Sequence, residues 1–211
     1  MKTIVFYAFF IFIVLYSCKE PESLITFSVP QPEGKNNLKE FPENIWGVYK
    51  NYDTQEELTI KKNMIISVKL ISDTLPMSYK DSLKDEKVLN SYYQFKQFKT
   101  LKNDSLLVTY KVFDTIFNAN KNVLKKFKGY YFLNFQIDSS KWNVKKLSFN
   151  RNIINLHKIE TINELKTMKD IMLLQTKDST ESILVKPTKK QFKEFINANG
   201  FEHGDSYLKI K

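Results

Sequence analysis

Between residues 45 and 159 apolar and polar side chains alternate in short runs, with turn residues between them. Successive side chains of a strand point to opposite faces, so a period of two marks a half-buried β-strand. Leu106, Val108, Tyr110 and Val112 form the cleanest such run, and Tyr93, Phe95 and Gln97 alternate against Tyr92, Gln94 and Lys96. Residues 45–49, 130–135, 142–149 and 153–159 read the same way. Residues 58–61 and 64–71 flank Lys62-Asn63, the pattern of a hairpin. Asn103-Asp104, residues 118–122, Asp138-Ser139-Ser140 and Asn150-Arg151-Asn152 supply turns. Residues 72–90 are polar, contain Pro76, and suit a short helix near 81–87. About eight evenly spaced strands predict a mainly β fold, an antiparallel barrel or sandwich.

At Thr161 the period changes. Thr161 and Glu164 have the spacing of a capping box, in which each side chain satisfies an otherwise free backbone donor. Ile162, Leu165 and Met168 then suit one face of a short helix. Residues 172–175 and 183–185 read as two strands around Lys177-Asp178-Ser179. Thr188 and Gln191 repeat the capping box ahead of Phe192, Phe195 and Ile196, and Gly200 is placed to end that helix. Residues 42–159 are thus expected to form a β core and residues 160–211 an α/β extension of one globular domain.

Composition narrows the chemistry. The chain has one cysteine, Cys18, so no internal disulfide is possible and stability must come from packing. Two histidines, His157 and His203, leave little for metal or triad chemistry. The net charge is +10, yet Arg151 is the sole arginine. Lysine is a hydrated point charge, whereas bidentate recognition of phosphate and guanine needs the guanidinium fork. Nucleic acid is therefore not an expected partner. Solvated surface lysines are the simpler reading of this charge, and attraction to anionic headgroups or polysaccharide is the alternative.

The first 18 residues, MKTIVFYAFFIFIVLYSC, place one Lys ahead of 13 residues without a charge (4–16). A membrane span needs roughly 20 residues, so the run is too short to cross. Its order is that of a secretory signal peptide. Leu15-Tyr16-Ser17-Cys18 resembles a bacterial lipobox, with Tyr16 bulkier than is usual at its position. The resemblance implies cleavage after Ser17, a diacylglyceryl thioether on Cys18, and acylation of the new amino group. Each buried methylene contributes about 0.8 kcal/mol, so two or more chains hold a protein firmly on a membrane. Lys19-Glu20 and Glu22 resemble the charged export tags of surface lipoproteins in some Gram-negative bacteria, which implies an outer-membrane address. Residues 18–41, with Pro21, Pro30, Pro32 and Gly34, read as the lipidated tether, although Ile25, Phe27 and Val29 alternate as an early strand would.

Motifs of catalysis are not found. There is no glycine-rich phosphate loop, no G-x-S-x-G elbow and no H-E-x-x-H. His203-Gly204-Asp205-Ser206 groups reactive residue types, but a triad assembles in space, and a polar turn is the simpler reading. Glu56-Glu57 would point to opposite faces of a strand, and Asp85-Glu86 lies in a charged stretch. We therefore expect no enzyme, no catalytic residue, no metal and no cofactor. Aromatics are what remain. Trp46-Gly47-Val48-Tyr49 resembles the opening strand of lipocalin-like barrels, which implies a cavity for a small apolar ligand. Trp46, Tyr49, Tyr130 and Trp142 are the candidate ligand-contacting rings, against the alternative that they are core. The expected function is a membrane-anchored envelope lipoprotein serving as a binding or assembly module, its partner another envelope protein or a polysaccharide. Alternatives are a lipocalin-like carrier and, less so, a hydrolase of envelope polymers.

Overall fold

The computed structural model describes residues 23–81, 93–101, 104–174 and 182–211. The lipobox with Cys18, Tyr92, the 81–87 helix beyond Asp81, Asp85-Glu86 and the Lys177-Asp178-Ser179 turn lie outside these residues.

The fold is mainly β. Among the described residues thirteen strands share one sheet, which does not close into a barrel. They are β1 Ile25–Phe27, β2 Asn37–Leu38, β3 Gly47–Lys50, β4 Glu57–Ile60, β5 Met64–Pro76, β6 Tyr93–Thr100, β7 Ser105–Asn118, β8 Val123–Phe127, β9 Tyr130–Gln136, β10 Trp142–Asn150, β11 Ile153–Lys158, β12 Ile183–Val185 and β13 His203–Lys209. Two helices, α1 Ile162–Met172 and α2 Lys189–Asn197, complete the described body. The main path runs β2-β8-β9-β10-β11-β13-β3-β4-β5-β7-β6. Its neighbours pair antiparallel; β1 and β12 pair parallel to each other.

The C-terminal strand is not an appendage. β13 lies between β11 and β3 and joins the two halves of the sheet. Gly47 permits this junction. A Cβ there would stand 2.4 Å from the Lys211 carbonyl oxygen, where Val48 N–H donates at 3.0 Å. Its φ of +147° also disfavours any side chain. Gly204 has the same role against β11, since a Cβ would stand 2.3 Å from the Leu156 carbonyl oxygen.

The sheet curls so that one half packs on the other. Leu124, Tyr131, Leu133, Leu147 and Ile154 from β8–β11 meet Phe41, Ile45, Tyr49, Leu58, Ile60, Ile65 and Phe117 from the opposite half. The reverse face of β9 and β10 carries α1 and α2 over a second core of Phe132, Val144, Leu165, Met168, Phe192, Phe195 and Phe201. Four consecutive residues of β9, Tyr131–Asn134, are therefore buried, because both faces of this strand are covered.

Residues 25–41, read from sequence as part of the tether, are integral to the body. Ile25 and Phe27 are fully buried, and Phe41 is inside the inner core. Two buried polar side chains clamp the loop between. Asn134 accepts from Gln31 N–H at 2.5 Å and donates to the Gln31 carbonyl at 2.9 Å. Lys125 donates to the carbonyls of Pro30 and Pro32 at 2.9 and 3.0 Å, and burial pushes its ammonium below the usual lysine range.

The hairpin at Lys62-Asn63 and the turns at 118–122, 138–140 and 150–152 are as expected. Both capping boxes form, on α1 from Thr161 and on α2 from Thr188. Several details differ. β5 continues through Pro76 rather than stopping at Ile71, because each of its last residues pairs with β7. Ile162 is exposed; the buried face of α1 is Glu164, Leu165, Met168 and Lys169. Residues 172–174 end α1, with Leu173 left-handed, instead of starting a strand. The left-handed residue after α2 is Asn199, while Gly200 is required because a Cβ would stand 2.5 Å from the Phe195 ring. His203-Gly204-Asp205-Ser206 is strand, not turn.

Candidate functional site

Inside the curl, several strands begin apolar and become charged along the same face. On β5 the inward side chains are Ile65, Ser67 and Lys69; leading into β4 they are Leu58 and Glu56; on β13, Tyr207 and Asp205. On β10 Leu147 gives way to Lys145, and on β11 Ile154 and Leu156 give way to Lys158. Backbone pairing continues through these positions while apolar filling stops. The result is a cavity of about 1120 Å³ above the inner core. Its walls carry three carboxylates, Glu56, Asp114 and Asp205, and three ammonium groups, Lys69, Lys145 and Lys158.

Glu56 is the centre of this lining. It is 8% exposed and accepts from three donors. Ser67 Oγ–H donates to Oε1, Lys69 Nζ stands 3.4 Å from Oε1, and Tyr207 O–H donates to Oε2 at 3.0 Å. A buried carboxylate is costly unless its lone pairs are met in this way. Tyr207 is 2% exposed, and burial first, then the charges of Glu56 and Asp205, push its phenol far above the ordinary tyrosine value. It therefore remains a donor throughout the physiological range. Lys158 is held by Glu160 at 2.5 Å, whereas Lys145 Nζ lies 5.4 Å from the Phe135 ring centroid.

Both oxygens of Glu56 already meet a partner within the fold. His157 is on the opposite face of β11, 3.3 Å from the Glu202 carbonyl. Alternation on β13 sends Asp205 inward and Ser206 outward, where its hydroxyl donates to Asn155 at 2.6 Å. Those two cannot meet in one catalytic set. Among the described residues no three His, Cys, Asp or Glu are grouped as metal ligands.

The four aromatics singled out from sequence are dispersed. Trp46 is half-buried and donates its indole N–H to the Phe41 carbonyl at 2.9 Å. Tyr49 is fully buried, its hydroxyl donating to the Ile45 carbonyl at 2.8 Å, and burial pushes its phenol up. Tyr130 lies under the Lys146 ammonium, 5.3 Å from ring centroid to Nζ, and Trp142 packs beside the helix-covered core. None of the four lines the large cavity. The residues that do were set aside at the level of sequence. Glu56 and Glu57 were read only as neighbours on opposite faces of a strand, unable to act as two facing carboxylates, yet Glu56 stands two residues before Leu58 and so shares the inward face. That spacing is the signal that would have found it.

A second, smaller cavity of about 560 Å³ lies outside the curl, where the β8–β9 turn meets α2. It is lined by Phe127, Lys128, Lys189, Lys190 and Lys193. Among the described residues no helix is long and apolar enough to cross a membrane. No protein-family model, no curated protein and no solved structure matches the chain.

Proposed function

We propose that this chain is a lipid-anchored envelope protein, tethered through Cys18, whose β body is a non-catalytic binding module. The observation that carries the binding role is the cavity of about 1120 Å³ with balanced charge, three carboxylates against three ammonium groups, around the three-donor Glu56. Such a lining suits a polar, uncharged or zwitterionic ligand such as a saccharide or a modified sugar. A small apolar ligand would find its walls charged, which weighs against a lipocalin-like carrier. The anchor rests on the lipobox resemblance of residues 15–18. Its address is the outer membrane of a Gram-negative envelope, with another envelope protein or a polysaccharide as the source of the ligand.

Two readouts test the two halves separately. Metabolic labelling with a fatty-acid analogue should mark the wild-type protein and not Cys18→Ala; equal label would remove the anchor. Native mass spectrometry of protein isolated from envelope extract should show a bound small molecule. Thr115→Trp, which projects an indole from a lining position of β7, should lose it. Absence of any adduct on the wild type, or an undiminished one on Thr115→Trp, would remove the binding role.

A further inference from the structure

The helix-covered core takes no residue from β11, β13, β3, β4, β5 or β7. Six outward side chains of these strands form one row, each directly opposite the next across a strand pair. They are Ile153, Leu208, Lys50, Glu57, Val68 and Phe113. Their chain neighbours Ile154, Tyr207, Tyr49, Leu58 and Ser67 point inward and are buried, so alternation fixes the row on the outer face. None of the six belongs to either core. Ile153 and Leu208 are 44% and 42% exposed, and Val68 and Phe113 are half-buried. A sheet with one solvated face carries polar residues outward, yet four of these six are apolar. A contiguous apolar patch on a soluble body marks an interaction surface.

The order of the row names the partner. It runs apolar, apolar, cation, anion, apolar, apolar, and is therefore complementary to itself reversed. A two-fold axis between Lys50 and Glu57 sets Lys50 against the partner's Glu57 and Glu57 against the partner's Lys50. The same axis lays Ile153 and Leu208 on the partner's Phe113 and Val68. Both charges are available for this. Lys50 and Glu57 stand opposite each other on β3 and β4, but among the described residues neither makes a salt bridge. Lys50 Nζ lies 5.7 Å from the Tyr52 ring centroid. The adjoining row of the same face, Ile210, Val48, Thr59 and Ile66, carries no charge that would oppose the contact.

We propose that this face binds a second copy of the chain, forming an isologous dimer in which the two outer faces stack as the sheets of a sandwich do. Six strands about 4.8 Å apart make the row about 24 Å long. Specific interfaces bury about 1,200 Å² or more over both partners, and this row with its uncharged neighbour is near that lower limit. Dissociation in the micromolar range is expected. The cavity opens on the inner face, so the dimer stands or falls independently of the binding role proposed there.

The test is sedimentation equilibrium of the full-length protein in a density-matched detergent. Wild type should show a monomer–dimer equilibrium. Lys50→Glu leaves only carboxylates at the axis and Glu57→Lys only ammonium groups, so each alone should dissociate at least tenfold more readily. An equimolar mixture of the two places a carboxylate opposite every ammonium again and should associate as wild type does. Such recovery arises between chains and cannot come from repair within one. Leu208→Ser should weaken the dimer several-fold while melting stays within a few degrees. The control is Lys121→Glu mixed with Glu194→Lys, exposed positions elsewhere, which should dimerise as wild type both separately and together. A wild type that is monomeric up to millimolar concentration overturns the proposal and leaves the face to a different partner. A dimer that survives both single reversals, a mixture no tighter than its components, or the same pattern in the control also overturns it.

Discussion

The two faces of β9 and β10 are built from the same strands and end differently. On the outer face apolar residues continue to the end. Phe27, Phe132, Phe192 and Phe201 meet edge-on or tilted, with ring centroids 5.1–6.1 Å apart, and two capped helices seal the layer. On the inner face filling stops halfway: Leu147 gives way to Lys145 on β10, opposite Glu56 and Lys69 of the other half of the sheet. One face is closed by packing, and the other keeps a volume open at the expense of core. A fold that spends sheet on a charged interior has not optimised stability there, which is where binding is to be sought.

Truncation of the outer face should have the largest effect. Phe192 and Phe195 are fully buried, and Phe-to-Ala changes in cores typically cost about 3–5 kcal/mol. Either substitution should lower the melting temperature sharply, while Lys193→Ala, exposed on the same helix, should leave it nearly unchanged. Unchanged melting of both Phe variants would mean that α2 is not docked.

Single changes on the inner face should cost less. Glu56→Ala leaves the Tyr207 and Ser67 hydroxyls buried without an acceptor, about 1–3 kcal/mol by chemical denaturation. Tyr207→Phe removes one of the three donors to Glu56 and should cost about 1 kcal/mol, because Ser67 and Lys69 remain. If Tyr207→Phe costs more than Glu56→Ala, the carboxylate is not the centre of the cluster.

The smallest effect is a pH slope. Desolvation, reinforced by the charge of Lys146, holds His157 below its ordinary value of 6.5. The unfolded chain therefore takes up the proton first as pH falls. Stability is full above pH 6.5 and declines as pH drops from there through the lowered folded value. His157→Gln should flatten that part of the profile in melts from pH 7.5 to 5, and an unaltered slope would assign it to carboxylates.

The outer face was legible in the sequence because its signals are local. Thr188 and Gln191 cap a helix whose Phe192, Phe195 and Ile196 share one face, and nothing distant is needed to read it. The hairpin at Lys62-Asn63 is local in the same sense. The inner face was not legible, since Glu56 and Tyr207 meet across 151 positions. The insertion of β13 between β11 and β3 that brings them together leaves only an ordinary alternating strand in the sequence. Gly200 shows an intermediate case. Its position near a helix end was right, but the left-handed residue is Asn199, and the reason for glycine is the Phe195 ring beside it.

The central claim is that the polar cluster of the inner face serves binding and not stability. Thermal unfolding of a single variant, Glu56→Leu, Ser67→Val, Lys69→Leu and Tyr207→Phe together, tests it most directly. Replacing every partner of a buried polar cluster with apolar groups is often neutral or stabilising, whereas removing one partner is not. The account predicts melting at or above the wild-type temperature, with the bound small molecule lost from the native mass spectrum. A fall in melting as large as that of Phe192→Ala would contradict it and make the cluster part of what holds the fold together.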